Sequence, residues 1–381
     1  MAGKLANMKM AAVEETVKGV LETPTAADFI KLAADAKPPA PTQKMIESPE
    51  MSGTLSPEDD IVGPDEGSWD IPLVLKGSGQ NGVKPASAIF LRNSFGIEST
   101  PTGGTIPAAS SPTATVITVT GSDFEENDAC LVEMSGGNWE GAWITNVVEG
   151  SGEQTITLFP ALSGAPSEGA TVNPGIIYKP TSDELQKTLS IYYWLDGVKY
   201  SLAGCMGSPS FDFKYAEVPK LKMSMKLMTW TPSDEVCPFT PAYVGGTPFI
   251  CCGGSFKLGS IEEYIENLSL DLAGDIAMLT AIQSTGAYDA YMSARKPAGS
   301  FDPFMNDASF LTAYKAGSTA EAHFSIGNHT NLIMARMPRI KYREVKPADK
   351  NGVNSYSVGY SAAKTVADDE VFLAFLSSVT P

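Results

Sequence analysis

Histidine is nearly absent from this chain of 381 residues: His323 and His329 are the only two. Catalytic triads and most zinc sites need an imidazole beside a partner. A spacing of six suits no common helical metal pair, so two histidines on loops or strand surfaces are expected. The cysteines carry no motif either. Cys130, Cys205, Cys237, Cys251 and Cys252 are odd in number, form no C-x-x-C and include an adjacent pair. They read as reduced, mostly buried thiols of a protein made in the cytosol. No apolar run approaches the ~18 residues a membrane helix needs. The opening MAGKLANMKMAAVEE lacks the apolar segment of a secretory signal. Neither G-x-S-x-G nor G-x-x-x-x-G-K-[ST] occurs.

Positive charge is also scarce. Lys and Arg number 27 against 44 Asp and Glu, a net of −17. Such a surface repels phosphate, which disfavours a protein that grips DNA. The acids are unevenly spread: residues 97–180 hold ten carboxylates and one base, Lys179, leaving −8 for the other 297 residues. The loop acids Glu58, Asp59, Asp60, Asp65 and Glu66 lack the D-x-D-x-D-G spacing of a calcium loop, so a solvated loop is the simpler reading. A pair of carboxylates suited to glycoside hydrolysis is not singled out by any strand pattern.

The chain is rich in apolar residues and turns. It is 43% hydrophobic, with 35 Gly and 27 Pro, which suits a folded core with many short strands. Residues 69–82, WDIPLVLKGSGQNG, contain a literal G-x-G-x-x-G after a strand-like run, with Glu98 sixteen residues further on. A dinucleotide site would need a full crossover helix and a second buried strand. Here a short helix over 85–96, with Gly96 as its stop, leads into a Thr/Pro/Ala/Ser linker. The glycines therefore read as a turn and not as a phosphate cradle.

Helical periodicity is weak elsewhere. Residues 25–37 suit one short amphipathic helix capped by Thr25, residues 41–48 suit a strand, and residues 48–68 suit a long loop. Strand signals dominate the rest. Ile117 and Val119 alternate with Thr118 and Thr120 in a module of about 80 residues, 97–180. Asp196-Gly197 and Asn351-Gly352 mark hairpin turns. In 219–230, Leu221, Met223, Met225 and Leu227 share one face and Lys220, Lys222, Ser224 and Lys226 the other; core packing is the expected use of the methionines.

The order of these pieces resembles the major tail tube proteins of tailed bacteriophages. The segments that carry the likeness are Glu14–Gly19 (E-x-T-x-x-G), Leu75–Gly82, the short helix, Arg295–Pro303 (R-x-P-x-G-x-x-D-P) and the closing hairpin at Asn351-Gly352. The resemblance spans nearly the whole chain, and it implies extended chain in part of 25–37. It implies a mainly β fold, a tail-tube β-sandwich or barrel with one or two short helices, in two parts (1–96 and 181–381) around an inserted accessory β domain (97–180). It implies a structural, non-enzymatic virion protein that forms hexameric rings stacked into a hollow tube. DNA would pass through the lumen without specific binding. The charge outside the insert permits an acidic lumen without requiring one.

Implied partners are further copies of the chain and the tape measure, tail terminator and baseplate or tip proteins. No cofactor, metal or membrane segment is implied. The expected location is the virion tail, after synthesis in the host bacterial cytoplasm. By analogy, the loop acids Glu58, Asp59, Asp60, Asp65 and Glu66 are candidates for contact between subunits or rings. The basic residues Arg339, Lys341 and Arg343, with Arg336 and the Lys220/Lys222/Lys226 face, are candidates to meet them. Another ring-forming tail or baseplate component, or a carbohydrate-binding β protein, are the alternative readings.

Overall fold

Alternation of apolar and polar residues decides where most of this chain goes, and most of it is strand. The computed structural model describes residues 7–50, 53, 56, 59–108, 110–183 and 185–380. Among these, seventeen strands join in one continuous, strongly bent sheet, six close a separate barrel, and two pairs form isolated hairpins. The large sheet folds over a core that includes Ile71, Leu91, Phe213, Met223, Phe301 and Tyr360. This is a mainly β fold of sandwich type.

The strand Val198–Lys214 links the two halves of that sheet. Its first part pairs with Leu189–Leu195 and Thr229–Asp234, its second with Lys220–Lys226 and Asn267–Asp271. The change of sheet falls at Gly204, whose φ is +64°. A Cβ there would lie 2.2 Å from the Met228 sulfur, so only glycine fits both the angle and the space. The preceding hairpin turns at Asp196 (φ 50°) and Gly197 (φ 102°), the two positive angles that a tight hairpin turn requires.

The methionine-bearing strand behaves as its pattern predicts. Leu221, Met223 and Met225 are buried, while Lys220, Lys222, Ser224 and Lys226 are exposed. It pairs with Ser68–Val74. The chain then turns through the glycine segment into the helix Ala88–Phe95, which Gly96 (φ 94°) ends. In the turn, Gly77 N donates to Asn331 Oδ1 at 2.8 Å and Ser78 Oγ donates to Val83 O at 2.6 Å. Glu98 pairs with Lys84 and accepts from the Tyr178 hydroxyl. The segment is a turn, and its acid is committed to structure.

Three expectations need correction. Residues 25–37 form only a single 3-10 turn, Ala26–Asp28, before the strand Phe29–Ile30. Thr25 N and Oγ1 both bond Asp28, but Phe29 must join the sheet to stack on Trp194, and this stops the helix. The supposed loop 48–68 contains a strand, Ile61–Glu66, paired with Thr42–Ile46. Its Gly63-Pro64 sits at a shift in register opposite Lys44, where a missing N–H costs the ladder nothing. His323 is buried, not on a strand surface.

The six-stranded barrel runs from Gly104–Thr105 to Thr171–Pro174 and has its own core, including Ile117, Val132, Ile144, Ile156 and Val172. It joins the large sheet through two paired strands, with Ser99 opposite Ile177 and Gly96 opposite Pro180. Its outer face is packed on the sheet: Leu131 and Trp143 meet Met334, Phe372, Ala374 and Leu376. Polar links flank this seam. Lys179 Nζ lies 2.8 Å from Asp128, and Arg336 Nη1 donates to Asn127 Oδ1 at 2.8 Å. Burial raises the Asp128 carboxyl above its usual range, against the pull of Lys179.

Candidate functional site

The E-x-T-x-x-G segment builds a buried carboxylate site at the sheet junction. Glu15 is 2% exposed. Its oxygens accept from Thr188 Oγ1 (2.6 Å), Ser190 Oγ (3.0 Å), Gly19 N (2.6 Å) and Gly204 N (2.8 Å). Four donors leave the charge fully bonded, which is the condition for burying it. The same site fixes the strand that changes sheets. Beside it Lys18 holds Asp289 at 2.8 Å.

The R-x-P-x-G-x-x-D-P segment builds a second anchor. Arg295 Nε donates to Glu370 and Nη2 to Asp368, both at 2.7 Å, and Nη1 reaches Thr181 O. Asp302 accepts from Glu266 N, Asn267 N and Asn267 Nδ2, and Lys350 lies 3.1 Å from it. These motif residues tie strand ends together.

The acidic candidates lie on or beside the hairpin Thr42–Ile46/Ile61–Glu66. Glu58 falls outside the described residues. Asp59, Asp60 and Glu66 are exposed. Asp65 is used within the subunit: its carboxylate accepts from Thr229 Oγ1 (2.7 Å) and Gln43 Nε2 (3.2 Å), and its N–H meets Thr285 O. It anchors the hairpin to the strand Thr229–Asp234 and to a second hairpin, Gly274–Thr280/Ala287–Arg295. Composition drew attention to the acids, but the more telling residues are apolar. Met45, Ile46, Ile61 and Val62 are 55%, 45%, 53% and 59% exposed, although they belong to a paired hairpin. The adjacent apolar pairs Met45-Ile46 and Ile61-Val62 were the available signal.

Arg339, Lys341 and Arg343 form an exposed row on the strand Asn331–Lys350, alternating with buried Ile340 and Tyr342. No hydrogen bond or ion pair joins this row to the described loop acids. Arg336 does not belong with them: it is buried and paired with Glu321 at 2.7 Å. The lysine face is likewise engaged inside the chain. Lys222 pairs with Asp70 at 2.8 Å, and Lys226 donates to Ile276 O at 2.7 Å.

His323 is 1% exposed, and neither ring nitrogen has a hydrogen-bond partner. The edge of its ring meets Phe159 of the barrel. Burial, with Lys257 and Arg336 nearby, lowers its pKa to about 3. Burial pushes the Cys130 thiol up to about 12 and Cys251 to about 11. All five cysteines are free; Cys130, Cys205 and Cys251 are buried and Cys252 is exposed. Among the described residues, no group of three or more His, Cys, Asp and Glu is placed to hold a metal ion, and no helix is long and apolar enough to cross a membrane.

Fold and surface together define a class: a β-sandwich protein carrying a small barrel, with its polar motifs spent on joining strands and with an apolar hairpin left in the open. The chain belongs to the phage tail tube protein family, whose sequence pattern matches residues 6–362. That makes it a structural component of a bacteriophage virion tail, and the family implies self-assembly and a non-enzymatic role. A search of curated proteins found no match.

Proposed function

We propose that this protein forms hexameric rings that stack into the hollow tail tube and conduct DNA to the host during ejection. The observation that carries the assembly is the exposed apolar hairpin. Among the described residues its two strands pair only with each other. A lone two-stranded hairpin is marginal in water, and clustered exposed apolar residues mark a contact surface. Met45, Ile46, Ile61 and Val62 are covered by a neighbouring copy, with Asp59, Asp60 and Glu66 at the rim of that contact. Cyclic symmetry closes a ring, and head-to-tail stacking extends it.

The chain divides into a tube domain, 1–96 and 181–381, and an inserted accessory domain, 97–180. Support for the division comes from the barrel's separate core and its two-stranded connection. The protein is made in the host bacterial cytoplasm, and the tape measure, tail terminator and baseplate or tip proteins are its further partners.

Electron microscopy of the purified protein tests the reading. Long hollow tubes with sixfold cross-sections are expected. Single rings that never stack would favour another ring-forming tail or baseplate component, and monomers that bind glycans would favour a carbohydrate-binding protein.

A further inference from the structure

The inserted module is acidic almost throughout, and its one base is set against a buried carboxyl. Lys179 is the single Lys or Arg in 97–180. It lies on the strand Ile176–Pro180, which leads from the barrel into the large sheet. Its Nζ is 2.8 Å from Asp128 Oδ1, and the two side chains are 13% and 0% exposed. Among the described ion pairs, Asp128 is the only carboxylate with no exposed side-chain surface. Lys350, another deeply set lysine, meets Asp302, which is 20% exposed and already accepts from three N–H groups.

Asp128 is held on every side. Its N–H donates to Glu125 O, and its carbonyl accepts from Ile144 N. Its Oδ2 accepts from Glu125 N at 2.9 Å. Its Oδ1, beside the amine, completes no hydrogen bond, so the lysine touches the carboxyl without lying in line with it. Glu125 Oε2 lies 3.8 Å from the same Nζ, which also donates to Glu126 O at 3.4 Å. Burial raises the Asp128 carboxyl above its usual range, against the pull of Lys179. A dry site favours the neutral pair, amine and carboxylic acid, over two ions. That pair is a nucleophile and an electrophile kept in contact.

We propose that Lys179 and Asp128 join in an amide, an isopeptide bond that closes the chain from 128 to 179 into a ring. One ammonium proton passes to Oδ1 and leaves a free amine. Nζ attacks Cγ, and the C–N bond forms as the C=O electron pair moves onto Oδ2. The Glu125 N–H bonds that oxygen, a donor placed where negative charge develops. The Glu125 carboxylate takes a second proton from Nζ and hands it to the Oδ1 hydroxyl. The C=O re-forms, the Cγ–Oδ1 bond breaks and water leaves. One ammonium and one carboxylate thus give one amide and one water, with no oxidant and no outside reagent. The bond fastens the barrel to the strand that enters the large sheet, across a seam otherwise held by apolar packing and the Arg336–Asn127 hydrogen bond. It constrains the unfolded chain as a disulfide would, in a protein whose five cysteines are free.

Mass spectrometry of the purified full-length chain tests the bond. The intact mass should fall short of the sequence by one water. Digestion at glutamate should release residues 127–133 joined to 169–184, as one branched species that neither boiling nor reduction separates. Lys179→Arg and Asp128→Ala should each restore the full mass and yield the two peptides apart. Glu125→Gln should lower the bonded fraction of freshly made protein several-fold. A parent chain of full sequence mass, with the two peptides recovered separately, holds only an ion pair and overturns the proposal. A water deficit that survives Lys179→Arg overturns it too. The parent digest decides the matter even where the variants fold poorly. Equal bonding in Glu125→Gln overturns the relay assigned to Glu125.

Discussion

At the scale of single residues, buried polar groups decide whether this sheet can change direction. Glu15 serves both halves of the sheet through Thr188, Ser190 and Gly204. Glu15→Ala would strand these donors in the interior, at a cost of about 2–4 kcal/mol. Denaturant unfolding should show that loss, and Glu15→Gln should recover part of it. His323 makes the opposite case, a buried imidazole with no partner. Its folded pKa, about 3, lies below the unfolded value near 6.5. The neutral form is therefore favoured by folding, so the stability is present above pH 6.5 and is lost as pH falls from there towards 3. The slope approaches about 1.4 kcal/mol per pH unit in that window. The charged groups beside it are Lys257, Arg336 and the Glu321 that pairs with Arg336. His323→Leu should flatten this acid dependence while leaving stability at neutral pH equal or higher. An unchanged profile between pH 6.5 and 4 would show that other groups dominate acid unfolding.

At the scale of elements, pattern was most legible where one face is covered and the other is open. Strand Lys220–Lys226 alternates without exception and sits as its alternation requires. The run Phe372–Leu376 does not alternate, because it is buried on both faces: Leu373 and Phe375 face the main core, Phe372, Ala374 and Leu376 the barrel seam. Strand Asn331–Lys350 shows both regimes, continuously buried from 333 to 337 beside the barrel seam and alternating from 339 to 342. The hairpin 42–66 was half missed. Acids, proline and glycine gave 48–68 the composition of a loop, yet a register shift lets Pro64 stay in a strand. Replacing Met45 and Ile61 by Ser should leave the monomer's stability within about 0.5 kcal/mol, as exposed sites do, and abolish tube growth. Replacing Asp59, Asp60 and Glu66 by Ser should weaken growth less. Sedimentation of assembled material against total protein separates the two, and normal growth of the apolar variant would exclude the hairpin from the contact.

At the scale of the whole molecule, the barrel is the feature that can be removed as a unit. Ser99 and Ile177 are paired neighbours, so an Asn-Gly turn can join them in a tight hairpin. The shortened chain should fold and assemble once Phe372 and Leu376, newly exposed, are changed to Thr. Loss of cooperative unfolding in that variant would show that the barrel is integral to the tube domain. The Lys76–Gly82 segment should bind no nucleotide, since Gly77 N is bonded to Asn331 Oδ1, Gln80 N to Ser78 Oγ and Asn81 N to Val379 O. Titration calorimetry with NAD and ATP checks this.

The sequence by itself determined the class of fold, the places of most strands, the hairpin turns and the family likeness. These depend on short-range rules: alternation, turn glycines and the order of motifs along one chain. Only the tertiary structure decided that Glu15 binds Gly204, that Arg336 and His323 lie under the barrel, and that the hairpin 42–66 keeps its apolar residues in the open. Each of these joins residues far apart in the chain, and alternation names two faces without saying what will cover either one.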